Sequence, residues 1–283
     1  MAAQEPLAWE SRAARPAAIA AFGSALFMVA PIVYIGTALE GNTSEANDLL
    51  AVADRETTDF VVAAALQAIG LVLMIGPLYY LFQAVRHRRP ELPRVALGLI
   101  FAGPILAAAI RVIRQLDLIN VAHDFVGMGG GTAEEAETFV TDSAYSGLAE
   151  ASFGANLALG LAIVLVSLYA MRTGLLSRFM GILGIVIGAL YLLPIGAGGG
   201  GFIQVFWLVA LGLLMLDRWP GGRGPAWQSG ETVRWPGAAQ QREEMLRRRE
   251  QREALDAPAA DDGADAPGSD APRPAKRKRK RGR

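Results

Sequence analysis

Six polar side chains within apolar stretches are the residues of this sequence best placed to bind a ligand. Ionisable and amide groups are costly inside a bilayer, so such residues indicate a functional site by default. Two of them, Arg111 and Arg114, are three residues apart and share one face of a helix. The pattern predicts a polar pocket in which Glu150 pairs with Arg111 and amide side chains complete the lining. The six residues are Gln67, Arg111, Arg114, Glu150, Asn156 and Gln204.

The same residues also have a purely structural interpretation. In that case the arginines extend to the lipid headgroups, and the amides form hydrogen bonds between helices. This interpretation is favoured, because all six positions fall near the predicted outer membrane surface, where polar groups cost less than at the bilayer centre. The ligand pocket is the alternative.

No catalytic residue, metal or cofactor is predicted. The sequence has no cysteine and only two histidines, His87 and His123, in unrelated contexts, which argues against thiolate chemistry and zinc sites. Gly196, Gly198 and Gly201 fit the GxGxxG spelling of a dinucleotide site. That site needs a preceding strand within a βαβ unit, whereas apolar helices flank these glycines, so a tight turn is predicted instead.

The apolar stretches that carry these residues have the length of membrane spans. Of the 283 residues, 52% are hydrophobic and 19% are charged, a balance typical of membrane proteins. A span needs about 20 apolar residues. The sequence therefore predicts an all-α polytopic bundle of six transmembrane helices, the last of them short. The predicted spans are 16–39, 60–85, 95–114, 148–171, 179–195 and 202–216.

Charged residues in the connections predict the orientation. Arginines follow the second and fourth spans, whereas acidic residues dominate the connections after the first and third. The positive-inside rule then places both termini on the cytoplasmic side of the membrane, which we predict to be a bacterial inner membrane. We expect the first span to be retained, because residues 36–39 are a poor cleavage site for a signal peptidase.

Proline interrupts each of the first three predicted spans, at Pro31, Pro77 and Pro104. A proline removes a backbone donor and frees an earlier carbonyl, so we expect kinks and a neighbouring group that satisfies that carbonyl. In the fifth span, Gly184 and Gly188 lie one turn apart. This spacing predicts close contact between helices of one bundle.

The second outer loop is predicted to be folded. Thr132 followed by Glu135 is a capping box, which predicts a short helix that runs to Asp142. The apolar stripe of the third span continues through Ile119 and Val121, so this helix is expected to extend past the membrane. Together these segments predict a small cap on the outer side.

Residues 219–283 are predicted to form a cytoplasmic tail, separate from the N-terminal segment 1–15 and the membrane domain 16–218. Residues 1–218 hold 12 Arg against 17 Asp and Glu, whereas the tail holds 15 Lys and Arg against 10 Asp and Glu. The tail is expected to contain a charged helix near 238–255 and a disordered spacer at 257–274. Its three tryptophans are predicted to lie against the inner headgroups. They are Trp219, Trp227 and Trp235.

The end of the tail is polybasic. Such a segment is predicted to bind anionic lipid headgroups, at about 1 kcal/mol per basic residue near the surface. Nucleic acid is the less favoured partner, because the tail is tethered to the membrane. No oligomeric state is predicted. The basic residues are Lys276, Arg277, Lys278, Arg279, Lys280 and Arg281.

Three segments resemble an uncharacterised bacterial family of six-span membrane proteins, known as a domain of unknown function. They are residues 109–114, Gly154, and the connection 169–184 between the fourth and fifth spans. In that family the connection follows an RSG-x-LPR-x-LG pattern. Here Thr173 stands in place of serine and Ser177 in place of proline.

The resemblance covers roughly residues 16–216 and implies the six-span fold, with no activity and no catalytic residue. Three classes of function remain. A non-enzymatic membrane module that senses, scaffolds or binds a ligand ranks first, because the outer loops look folded and the spans hold few charges. A transporter of a small solute or lipid ranks second, since the sequence has no convincing inverted repeat. An intramembrane enzyme ranks third, because no nucleophile or metal set can be assembled.

Overall fold

The computed structural model of the chain divides into two compact units, Met1–Trp235 and Pro236–Arg283. In the second unit the described residues are helical and exposed. The remaining residues, among them the polybasic end and Gly196 and Gly198, lie outside the described part of the chain. The structure describes residues 4–38, 45–129, 131–142, 144–192, 200–220, 222–233, 235, 242–243, 245–247 and 249–251, without the side chains of 4–7, 38, 142, 144–147, 149 and 200.

Every regular element of the first unit's described residues is a helix. The order is α1 (Gln4–Ala38), α2 (Ala46–Arg55), α3 (Thr57–Leu73), α4 (Ile75–Arg88), α5 (Val95–Gly127), α6 (Ala133–Asp142), α7 (Ala144–Thr173), α8 (Arg178–Leu192), α9 (Gly200–Met215) and α10 (Pro225–Ser229). In the bundle α1 packs on α3, α4 and α9, α5 packs on α3 and α7, and α7 packs on α8. The predicted all-α class is thus confirmed for these residues.

Four helical stretches among the described residues are long and apolar enough to cross a membrane. They are Ala8–Thr37, Thr57–Arg88, Val95–Gly127 and Glu150–Thr173. Helices α8 and α9 are apolar but have only 15 and 16 residues, about 22 to 24 Å at 1.5 Å per residue. The hydrocarbon core is about 30 Å thick. The chain is therefore a membrane protein, and six spans remain a prediction.

The second of these stretches is broken at Met74, three residues before Pro77. The amide of Met74 bonds to the carbonyl of Leu71 at 3.2 Å rather than to that of Gly70. The buried hydroxyl of Ser24 on α1 donates to the Gly70 carbonyl instead, at 2.7 Å. A neighbouring helix therefore supplies a donor to the carbonyl that the break at Met74 frees, whereas the carbonyl expected to be freed by Pro77 is that of Leu73.

Two glycines hold α7 and α8 close together. A Cβ added at Gly188 would meet the Gly160 carbonyl oxygen at 2.6 Å, and one added at Gly160 would meet the Gly188 backbone in return. Gly184 likewise leaves room for Ser167 and Trp207. The close contact predicted from Gly184 and Gly188 is confirmed, and it lies within the bundle.

The predicted cap is present at the end of the bundle where α3 begins and α5 ends. Thr132 Oγ1 accepts a hydrogen bond from the Glu135 amide at 3.2 Å, and a Glu135 carboxylate oxygen accepts from the Thr132 amide at 3.3 Å. This capping box begins α6, and α5 extends to Gly127 as expected. We call the end of the bundle where α3 begins and α5 ends the cap end. Its apolar cluster comprises Leu50, Val52, Ala53, Phe60, Val121, Ala122, Phe125 and Ala136.

After α9 the chain folds back onto the opposite end of the bundle. Residues 222–233 and Trp235, which we call the strap, contain α10 and lie against the ends of α4 and α7. Trp227 of the strap is only 4% exposed, and its indole Nε1 donates to the Leu175 carbonyl at 2.8 Å. The prediction that Trp227 lies against lipid headgroups is wrong, because protein encloses the indole.

Candidate functional site

The first two predicted site residues meet between α3 and α5. Nε of Arg111 donates a hydrogen bond to Oε1 of Gln67. Arg111 is exposed and Gln67 is half-buried, so the guanidinium is held at the side of the bundle. The structure therefore brings together two of the residues that the sequence singled out.

Gln204 is the most deeply buried of the six, at 4% exposure. Its Oε1 accepts a hydrogen bond from the hydroxyl of Tyr191 at 2.7 Å, and its Nε2 donates to Sδ of Met74 at 3.2 Å. Met74 is the residue at which the second span is broken. Gln204 on α9 thus connects α8 to the joint between α3 and α4.

These two groups are neighbours. The charge of Arg111 is within electrostatic range of Tyr191, so the Arg111–Gln67 pair and the Tyr191–Gln204 pair lie in the same part of the bundle. Two hydrogen-bonded pairs, one between α3 and α5 and one between α8 and α9, therefore place four polar side chains inside an apolar bundle; together we call them the polar site. Sequence analysis missed Tyr191, although its hydroxyl within an apolar stretch was a usable signal.

The other three predicted residues are Arg114 on α5 and Glu150 and Asn156 on α7. No hydrogen bond described in the structure connects them to the polar site. Nη1 of Arg114 donates to Oγ of Ser152 at 3.5 Å, Asn156 is half-buried, and Glu150 is exposed. Glu150 and Ser152 are two residues apart, about 200° around a helix. Because Ser152 faces α5, Glu150 points elsewhere.

The expected pairing of Glu150 with Arg111 is accordingly not found among the ion pairs between described residues. Those pairs are Arg55–Glu56, Arg88–Glu10, Arg89–Glu91 and His123–Asp54.

The cap carries an open polar groove. Nδ1 of His123 lies 3.0 Å from Oδ1 of Asp54, but the imidazole is 82% exposed, so this pair is a weak surface contact. Within the described chain, no three His, Asp or Glu side chains lie close enough together to hold a metal ion. The groove is lined by Asp54, Thr57, Ile119, Asn120, His123 and Asp124.

Sequence analysis also missed the most buried ion pair. Glu10 and Arg88 form a bidentate salt bridge, with 3.0 Å between Arg88 Nη2 and Glu10 Oε2, and their side chains are 3% and 1% exposed. The helical phase carried a signal: Tyr80, Ala84 and Arg88 are four residues apart and share the buried face of α4. The surrounding run of basic residues concealed it.

No family model matches the sequence, and neither a curated protein nor a solved structure is similar to it. The resemblance to the six-span family therefore remains a prediction.

Proposed function

We propose that this membrane protein is a non-enzymatic module with six spans and cytoplasmic termini, which binds a small ligand at the polar site near its cap end. One observation carries this proposal: Gln67, Arg111, Tyr191 and Gln204, from four different helices, form two hydrogen-bonded pairs within the apolar bundle. Polar side chains that converge inside an apolar bundle are the usual lining of a binding site.

The two ends of the bundle support a role in sensing or scaffolding. The cap covers one end with its own apolar cluster, and the strap leads from the other end into residues 236–283. In this proposal the basic residues 276–281 hold the tail near anionic lipid headgroups. A ligand bound between the two ends would then act on the cap and on the helices that carry the strap.

Ligand retention tests the proposal. The purified protein in nanodiscs would be extracted, and the extract analysed by mass spectrometry for a lipid or solute that is enriched over the surrounding bilayer. We expect wild type to retain such a molecule and both Gln204→Leu and Arg111→Gln to lose it. The matched control is Gln83→Leu, because Gln83 on α4 bonds only its neighbour Tyr79 among the contacts described. Equal retention by all four proteins would refute a ligand site here.

A transporter of a small solute or lipid is the second candidate, favoured by the break at Met74. Discontinuous helices form the substrate sites of many transporters, and here Gln204 donates to Met74 at the break. Uptake of the co-purifying molecule into proteoliposomes separates the two candidates. Uptake that requires Gln204 would favour the transporter, and binding without uptake the module. An intramembrane enzyme stays third.

A further inference from the structure

We propose that the strap is a closing element for its end of the bundle, and that the Glu10–Arg88 pair is the latch that holds it shut. This proposal is independent of the ligand site. It rests on four sets of contacts: the ion pair, its bonds to the strap, the packing of Trp227, and the seat of the strap on Gly174.

The latch joins three segments that are distant in sequence. Arg88 at the end of α4 binds Glu10 on α1, and its Nη2 and Nε also donate to the carbonyl of Ala226 in the strap at 2.8 and 3.1 Å. Both side chains of the pair are almost fully buried. A guanidinium that bonds a carboxylate and a carbonyl together uses the planar donor geometry that lysine lacks. The Ala226 carbonyl also accepts from the Gly230 amide within the strap at 3.2 Å, so Arg88 is the group that ties this carbonyl to the bundle.

Trp227 fills the space beside the latch. Its ring stacks on Tyr80 with centroids 5.6 Å apart and an angle of 11°. The guanidinium groups of Arg88 and Arg223 lie 5.5 Å from the indole, within the range of cation–π attraction. The strap therefore contributes one large aromatic anchor, and that anchor is held by the same arginine that binds Glu10.

The strap is seated on a glycine. Gly174, in the turn between α7 and α8, has φ +82°, and a Cβ at this position would overlap the carbonyl oxygen of Val233. A side chain at residue 174 is thus opposed both by the backbone conformation and by the strap. This contact involves Val233 rather than Glu10 or Arg88, so a side chain at residue 174 gives a second means of lifting the strap that leaves the ion pair intact.

The strap is suited to open as a unit. Its only helix has five residues, and most of its backbone runs outside regular structure, so few internal bonds keep it in place. Segments of this kind open locally while the core stays folded. Because the bonds from Arg88 to Ala226 and its contact with Trp227 involve the same guanidinium, we expect them to be lost together, which gives closed and open states rather than a gradual loosening. The strap is also the covalent link to residues 236–283, so its opening moves the point at which those residues begin.

Cysteine labelling of the full chain tests the latch, because the natural sequence has no cysteine. Ala226→Cys places a thiol at a position that is 0% exposed in the closed strap. In nanodiscs we expect this thiol to react slowly with a maleimide. Adding Glu10→Gln, or separately Gly174→Ala, should raise its rate at least about tenfold, since either change opens the strap. Ser229→Cys, on the exposed side of the strap, gives the rate of a fully accessible thiol.

Two controls make the result decisive. Glu91→Gln removes a carboxylate 75% exposed, 3.8 Å from Arg89 at the same end, and should leave the rate at Ala226→Cys unchanged. Ala162→Cys reports on the bundle core, where residue 162 is 0% exposed, and should stay unreactive in every background. The proposal is overturned if Glu10→Gln and Gly174→Ala leave Ala226→Cys protected. It is equally overturned if they expose Ala162→Cys as much as Ala226→Cys, because the strap would then not open by itself.

Discussion

The two ends of the bundle use charge in opposite ways. At the cap end the imidazole of His123, which contacts the Asp54 carboxylate, is largely in solvent, and the fold depends on an apolar cluster around Leu50 and Phe125. At the strap end the pair of Glu10 and Arg88 is almost completely buried and joins three chain segments.

This difference shows that the number of charged residues in a segment does not indicate how much they stabilise it. The cap segments are rich in acidic residues, but exposed pairs contribute little. The strap end has one buried pair, and removing one partner of such a pair is costly. The ends should therefore respond differently to charge removal and to loss of apolar volume.

The largest effect is expected at the latch. Arg88→Met leaves the Glu10 carboxylate buried without a partner, so we expect a loss of about 3–5 kcal/mol in the free energy of unfolding. The double variant Glu10→Leu with Arg88→Met should recover part of that loss, to about 1–3 kcal/mol below wild type, because no buried charge is then unpaired and the loss is limited to the bonds from Arg88 to the Ala226 carbonyl. Unfolding in mild detergent would measure both.

The matched control is Arg89→Met, at a position whose side chain is 39% exposed and 3.8 Å from Glu91. We expect its effect to stay below about 1 kcal/mol. Equal losses for Arg88→Met and Arg89→Met would contradict the contrast between buried and exposed pairs.

A smaller and strictly local effect is expected for Leu50→Ala in the cap. Leu50 is 0% exposed, and truncating a buried leucine costs about 2–5 kcal/mol. Hydrogen exchange should accelerate in α2 and α6 and stay unchanged in α4. Accelerated exchange in α4 would mean that the two ends are one cooperative unit. Ala51→Gly, at the exposed neighbouring position, is the control. It lowers the helix propensity of α2 without opening a cavity, so it separates the effect of lost packing from the effect of lower helix propensity.

The smallest effect is a dependence of the cap on pH. Hydrogen bonds from the Gly131 and Thr132 amides hold the pKa of Glu135 below its ordinary value of 4.5. The ionised carboxylate therefore stabilises the start of α6 fully above 4.5, and this contribution is lost as the pH falls through the lowered pKa. NMR secondary shifts of 133–141 should lose helicity only below 4.5. Glu135→Gln should remove this pH dependence, and an unchanged titration in that variant would exclude the capping carboxylate as its origin.

Much of the fold could be predicted because it depends on local patterns. The capping box at Thr132, the extended α5 and the close contact at Gly188 each follow from neighbouring residues or from helical spacing. The break in the second span was also signalled, by Pro77. These features do not require knowledge of which helices become neighbours.

The latch and the composition of the polar site could not be predicted, since both depend on contacts across the bundle. Arg88 has the same local sequence character as Arg86 and Arg89, and only the position of Glu10, 78 residues away, distinguishes it. Similarly, whether Glu150 or Ser152 faces α5 depends on how α7 is rotated about its own axis. A single sequence gives the faces of helices but not their partners.

The contact between Gly174 and the strap limits how related sequences can diverge. Because residue 174 must be glycine for the Val233 carbonyl to lie there, a descendant that loses this glycine loses the seat as well. The selective constraint on Glu10, Arg88 and Trp227 should then relax together. We expect related chains with glycine at this position to keep the other three residues as well, and chains without it to vary at all of them.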